Sequence, residues 1–243
     1  MSAWKSKRFW ESTSVIERDG GYSVLLDKRE VKTPAKAALV VPSFAMANAI
    51  SKEWDDQEEE IKPQMMPVTR AANAAIDKVS IQHSEVADIV SAYADADLLC
   101  YRADGPSSLA QRQSEAWDPL LDWAAERFHA RLTPVVGVMH TAQDSQALSI
   151  LTKRAHQMDA FALTAFHDLV SLSGSFIIGL AAIENHLSPE SLWQISRVDE
   201  TWQQEQWGED EDALETARYK ESEFLQAKQF YDYLKTDRTV EAE

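Results

Sequence analysis

The chain has 243 residues, with 24 Lys and Arg against 40 Asp and Glu and a formal net charge of −16. That balance argues against a protein that grips nucleic acid or an anionic membrane surface through a basic patch. Only seven glycines and one cysteine are present, so there is no GxGxxG or GxxxxGK[ST] phosphate loop and no internal disulfide.

The charge is unevenly spread. Met1–Val40 holds 8 basic against 5 acidic residues, a net of +3, whereas Asp199 to the end holds 14 acidic against 5 basic, a net of −9. The opening MSAWKSKRFWES has no apolar signal region. With a single cysteine, Cys100 in the apolar run LLCYR, the expected home is a reducing one, the bacterial cytoplasm.

Phe9–Ile16, Tyr22–Leu26, Glu30–Val31 and Ala38–Val41 read as short strands. Asp19-Gly20-Gly21 and Asp27-Lys28-Arg29 supply the turns between them. Pro42-Ser43 opens a helix with Ser43 as N-cap and Ala47, Ile50 and Trp54 as its buried stripe. Pro63 and Pro67 forbid a long helix across Ile61–Pro67. The spacing then predicts helices over Val68–Val79 and Ser84–Ala94, and an extended piece at Leu98–Arg102. A stronger helix follows from Pro106 to Arg131, with Leu109, Trp117, Leu120, Leu121, Ala124 and Phe128 on one face. After an extended Leu132–Val138, Thr141-Ala142-Gln143-Asp144 resembles a capping box that opens a helix towards Met158.

The longest apolar run, Phe161–Ile183, is long enough to cross a bilayer. His167, Asp168 and three serines within it favour a single fully buried core helix instead, with His167 as a satisfied core histidine. Ser188 and Pro189 start a helix to about Gln206. On it Leu192, Ile195, Asp199, Trp202 and Gln206 share one face, and Trp193, Glu200, Gln204 and Trp207 the adjoining one. Asp199 stands where an apolar side chain is expected. Either it is tied internally to an Arg or to backbone N–H groups, or this face is a mixed aromatic-acidic surface kept for a partner. The last helix runs from about Asp210 to Leu234 and buries Ala217, Phe224, Ala227, Tyr231 and Leu234.

The expected fold is α+β. A small N-terminal sheet-plus-helix domain, residues 1–78, precedes a C-terminal orthogonal α-helical bundle, residues 79–243. The six histidines stand in no HExxH or Cys/His spacing, and no GxSxG elbow occurs. No catalytic, cofactor or metal site is therefore assigned. A hydrolase or transferase with an unrecognised site, or a general acidic adaptor, stays open.

Stretches along nearly the whole chain match one family in order. They are Lys7-Arg8-Phe9-Trp10, Gly21-Tyr22-Ser23-Val24-Leu25-Leu26-Asp27, Lys32-Thr33-Pro34, Ala49-Ile50 with Glu53-Trp54, and Ile61-Lys62-Pro63. Further along come Met66-Pro67-Val68-Thr69-Arg70, Asn73, Ala75-Ile76-Asp77, Asp97-Leu98-Leu99-Cys100-Tyr101-Arg102, and Gln113 with Trp117-Asp118-Pro119. The last are Asp199-Glu200, Trp202-Gln203 and Trp207-Gly208-Glu209-Asp210. In these the chain resembles the ATP synthase assembly chaperones that escort the F1 α subunit in mitochondria and α-proteobacteria.

The resemblance implies a small α/β domain and a helical bundle. It also implies a function without chemistry, in which free α subunit is bound and shielded until β subunits arrive. The family's sensitive acidic position falls on Asp199, with Glu200 beside it. The implied partner-binding residues are Asp199, Glu200, Trp202, Trp207, Glu209 and Asp210. A monomer without cofactor is expected, bound to the F1 α subunit but not to nucleic acid and not inserted in a membrane.

Overall fold

The computed structural model describes residues 7–235; the first six residues of the stretch MSAWKSKRFWES, and the last eight of the chain, lie outside the described residues. Strand β1 (Thr13–Arg18) pairs antiparallel with β2 (Gly21–Leu26), Thr13 opposite Leu26 and Arg18 opposite Gly21. Gly20 takes φ +83° in the turn, which a β-carbon would resist. Beside it, a β-carbon on Gly21 would run into the carbonyl of Val41, because Tyr22 and Val41 exchange backbone hydrogen bonds of 2.8 Å there. A two-residue β3 (Arg29–Glu30) completes the sheet in the order β1-β2-β3.

Two expected strands are shorter than the sequence suggests. Ala38–Val41 contributes only isolated bridges, Lys32 to Ala38 and Tyr22 to Val41. The first strand begins at Thr13 rather than Phe9, because the Asp27 carboxylate accepts from the N–H groups of Glu11 and Ser12 at 3.0 Å each and bends the chain there.

Helix α1 (Phe44–Asp55) starts as predicted, Ser43 Oγ accepting from Met46 N at 3.1 Å. It lies on the sheet and buries Met46, Ala47 and Ile50, while Val24 and Leu26 are buried from the sheet side. Helix α2 (Pro67–Ala74) continues as a wider turn over Ala75–Val79. Its own N-cap residue, Met66, offers no side-chain acceptor. Glu53 on α1 supplies one, accepting from Val68 N at 2.7 Å, Thr69 N at 2.8 Å and Thr69 Oγ1 at 2.6 Å. A carboxylate at a helix N-terminus satisfies orphan N–H groups and the helix dipole together, even though burial raises the pKa of Glu53.

The remaining elements are α3 (His83–Asp95), β4 (Tyr101–Arg102), α4 (Ser107–Phe128), β5 (Val135–Val136), α5 (Ser145–His156) and α6 (Ala160–Ser173). They are followed by α7 (Phe176–Ile183), α8 (Pro189–Ser196), α9 (Val198–Trp207) and α10 (Glu211–Lys235). Strands β4 and β5 form a short parallel pair. The architecture is the α+β one expected, a small sheet region followed by helices. The chain divides into two compact units. One is formed by residues 7–82, 159–164 and 229–235, the other by 83–158 and 165–228.

Most of the apolar run is buried, but it is two helices, and His167, Asp168 and Ser171 reach the surface. Gly174 takes φ +72° and closes α6, its N–H donating to Val170 O at 2.8 Å. Ser175 then caps α7 by accepting from Ile178 N at 3.0 Å. Asp97, fully buried, accepts from Ile177 N at 3.1 Å and Leu99 N at 3.0 Å, so one carboxylate anchors two chain turns. The sharp return lets α7 press onto α6 so closely that a β-carbon on Gly179 would sit 2.6 Å from Val170 and 3.0 Å from Phe166. Among the described residues, no helix is long and apolar enough to cross a membrane.

Other local expectations change as well. Asp144, not Thr141, caps α5, accepting from Ala147 N at 2.8 Å. Along α10 the buried aromatic residues are Phe224 and Phe230, while Ala217, Tyr231 and Leu234 are only half-buried. Cys100 is buried as read, and burial pushes its thiol pKa up to about 12.

Candidate functional site

The acidic-aromatic face is built on a helix break that the apolar spacing does not reveal. Ser188 Oγ caps α8, accepting from Ser191 N at 3.2 Å with Pro189 next to it. The helix then stops at Arg197, φ −106° and ψ 15°, before α9 begins. That interruption shifts the register. Trp193, expected on one face with Glu200 and Trp207, is buried against Phe224 with ring centroids 5.7 Å apart, whereas Glu200 is half-buried and Trp207 exposed. The carbonyl of Ile195, near the break, accepts from Trp117 Nε1 at 2.8 Å.

Trp117 lies on the apolar stripe of α4, fully buried, and the residue one turn before it is polar. Gln113 is 2% exposed. Its Oε1 accepts from Ala103 N at 2.8 Å and its Nε2 donates to Asp199 Oδ1 at 2.7 Å. Under this bridge lies Arg102, 7% exposed, donating to Asp118 at 2.7 Å with its guanidinium 5.1 Å from the Trp117 ring centroid. Burial lowers the Arg102 pKa against the opposing pull of Asp118 and Asp199. A buried cation needs such company, since stripped of anions it would cost several kcal/mol.

Asp199 is thus half-buried, tethered by an amide and held in the field of an arginine. Glu200 takes a hydrogen bond from Arg197 at 2.6 Å. Trp202 is half-buried. Near the end of α9, Glu205 accepts both guanidinium nitrogens of Arg112 at 2.6 and 2.9 Å. That pairing lowers the Glu205 pKa and raises that of Arg112. Trp207 is 79% exposed, and Gly208 at φ +91° ends the helix. Glu209 and Asp210 are exposed, and Asp210 spends one oxygen on Ala213 N at 2.9 Å as the start of α10.

The structure therefore separates the six residues. Asp199, Glu200 and Trp202 are half-buried, with Asp199 tied to α4, while Trp207, Glu209 and Asp210 stand in the open. Gln113 and Arg102 enter the sequence only within the stretches that carry the resemblance and are assigned to no site there, although a glutamine four residues before Trp117 in an apolar stripe is a visible signal. His167 also differs from expectation. Its ring is half-exposed, with Nδ1 2.9 Å from the neighbouring Asp168 carboxylate, so it is a surface pair and no core histidine. Among the described residues no three His, Cys, Asp or Glu side chains group as a metal site.

A family model described as ATP12 chaperone protein matches residues 7–125. The chain is 42% identical to Atp12 from Paracoccus denitrificans, whose crystal structure superposes with a TM-score of 0.93 over 96% of this chain and 100% of that one. The chain belongs to the ATP12 chaperone family. A candidate chaperone from Agrobacterium tumefaciens is 40% identical, with a TM-score of 0.90 over 94% of this chain and 86% of the other. The mitochondrial protein atp12 of Schizosaccharomyces pombe is 25% identical over 222 residues, 86% of this chain and 76% of its own.

Several of the stretches that carry the resemblance now have structural reasons. Asp97 to Arg102 joins a buried helix-anchoring acid to a buried cation. Gln113 and Trp117-Asp118 grip α9 and Arg102.

Proposed function

We propose that this chain is a molecular chaperone for ATP synthase assembly that binds the free F1 α subunit and shields it until β subunits join. Its membership of the ATP12 chaperone family, across nearly its whole length, carries the reading. The physical logic is mass action on exposed apolar surface. A subunit built for large obligate interfaces shows that surface while unassembled, and it aggregates. An escort with a net charge of −16 keeps the covered complex dispersed, and release needs only a native partner that binds more favourably.

Asp199, Glu200, Trp202, Trp207, Glu209 and Asp210 form the proposed client-facing surface, with Trp207 as an exposed aromatic anchor. We place the work in the bacterial cytoplasm, with the mitochondrial matrix as its counterpart, and expect the free chaperone to be monomeric. The test is co-expression with the α subunit. Soluble α recovered in a complex is the expected result. Aggregation of α at the same rate with and without the purified chaperone sinks the reading, and capture of many unrelated proteins would make it a general adaptor.

A further inference from the structure

The first unit carries a groove of about 900 Å³ whose chemistry is unlike that of the chain as a whole. Its apolar lining includes Trp54, Ile61, Pro63 and Met66. Lys32, Lys36, Arg70 and Lys78 also line it, against one carboxylate, Asp77. The three lysines are exposed. In a protein with a large acidic excess, this is a local cationic site.

Three buried polar atoms along the groove have no partner: Trp54 Nε1, Asn73 Oδ1 and Asp77 Oδ1. Buried donors and acceptors are nearly always satisfied, so each one invites a ligand group or a water. The walls that hold them are themselves fixed. Asp77 spends its other oxygen on Ala35 N at 3.0 Å, and Thr33 Oγ1 accepts from Ala37 N at 3.1 Å. Between those anchors Lys36 is held at φ +71°, an uncommon conformation for a residue with a β-carbon. The stretches by which the chain resembles its family, Lys32-Thr33-Pro34, Glu53-Trp54, Ile61-Lys62-Pro63, Met66 to Arg70, Asn73 and Ala75 to Asp77, each supply lining residues here.

We propose that this groove binds an extended, acidic segment of the client polypeptide. The unpartnered atoms are one donor and two acceptors, and a peptide backbone that settles into the groove offers both a carbonyl for the indole and N–H groups for Asn73 and Asp77. The phosphodiester group of a nucleic acid offers acceptors alone and would leave Asp77 facing another anion. Acidic side chains on alternate positions reach the lysines, and apolar ones cover Trp54 and Ile61. The identity of the client rests on the proposed function; the chemistry of the groove does not.

The probe is a fluorescein-labelled peptide of about twelve residues, long enough to extend across the groove, alternating Asp or Glu with Val or Leu. A control peptide carries Lys at the acidic positions. In anisotropy titrations on the full chain the acidic peptide binds and the control does not. Combined Lys32→Glu, Lys36→Glu and Lys78→Glu changes, on exposed side chains that leave the melting curve in place, weaken it about tenfold. Trp54→Phe, which keeps an aromatic ring but deletes the pyrrole ring with its N–H, weakens it about threefold.

Equal binding of both peptides, no binding of either, displacement by oligouridylate as effective as by unlabelled peptide, or affinity within about twofold after charge reversal overturns the groove. The α subunit separates the two readings. Normal α capture by the charge-reversed protein leaves the client intact and removes the groove from it. Failure of the unaltered protein to capture α removes the client, while the peptide titration still decides the groove.

Discussion

The α9 face and the groove of the first unit are both crowded with charge, yet they use it oppositely. On α9 the acids are committed within the molecule, Asp199 to Gln113, Glu200 to Arg197 and Glu205 to Arg112. The groove instead keeps three buried polar atoms without partners beside exposed lysines. Arg102, under the α9 face, also has Nε and one terminal nitrogen without hydrogen bonds. It differs in being 7% exposed and packed on an indole, between two carboxylates. The lesson is that density of charge measures neither availability nor partner. Committed charge builds a frame, and exposed cations beside unpartnered polar atoms leave something to bind.

The hardest blow to this contrast is Trp117→Ala. Trp117 is fully buried, stacks with Arg102 and holds Ile195 by its indole N–H. Its truncation should cost about 3–5 kcal/mol and free α9, seen as lost unfolding free energy in urea. The groove lies in the other unit, so the surviving folded protein should still bind the acidic peptide with unchanged affinity. Loss of peptide binding in step with α9 would show that the two regions do not work separately.

A smaller effect is expected where acids of different standing are compared. Asp199→Lys breaks the bond from Gln113 and sets a cation near buried Arg102, costing about 1–3 kcal/mol. Glu200→Lys removes only an i,i+3 pair with Arg197 on a half-exposed surface, side chains 24% and 41% exposed, and should cost less than about 0.5 kcal/mol. Urea titrations of both variants decide it. Equal losses would mean that the Gln113 tether contributes nothing. If instead both retain stability and both fail to capture α, these acids act directly on the client.

Some of this was legible in the chain and some was not, for physical reasons. Ser43 and Ser188 were found because an N-cap is a local event written in adjacent residues. The stripe on α4 followed from periodicity. Two helix breaks escaped that logic, at Gly174 and Arg197, since apolar spacing continues across both while the backbone obeys distant groups, Asp97 in the first case. Asp199 was flagged by its polarity in an apolar row, but Gln113, 86 positions away, could not be paired with it from spacing alone. The groove was invisible for the same reason. Its parts are scattered from Lys32 to Lys78, and only the fold assembles them.

A third effect, about 1 kcal/mol, distinguishes the spent polar core by pH. Burial pushes the Asp97 carboxyl from 3.8 up to about 6, outweighing its donors, Ser175, Ile177, Leu99 and Phe176. An acid whose pKa is higher folded than unfolded binds its proton more tightly when folded. Its ionisation therefore costs stability as pH rises from about 4 to about 6, with no further change above. From pH 7 to pH 5 this group should add about 1 kcal/mol. Asp97→Asn loses an acceptor for one backbone N–H and is less stable throughout. Its unfolding free energy minus that of the unaltered chain should grow in deficit from pH 7 to pH 5. A constant difference would mean that Asp97 titrates normally.

The smallest expected change in stability belongs to Trp207→Ala. Its ring is 79% exposed on the last turn of α9, before Gly208 ends the helix. A side chain so exposed contributes little to folding, and its loss should fall within about 0.5 kcal/mol. If the end of α9 is client-facing, however, an aromatic anchor is the side chain whose truncation a complex feels most, by about 2 kcal/mol or more. Pull-down of the α subunit by a variant with an unchanged urea midpoint should then fall by roughly tenfold or more. Unchanged capture would move the client away from α9 and leave the groove as the surface that does the holding.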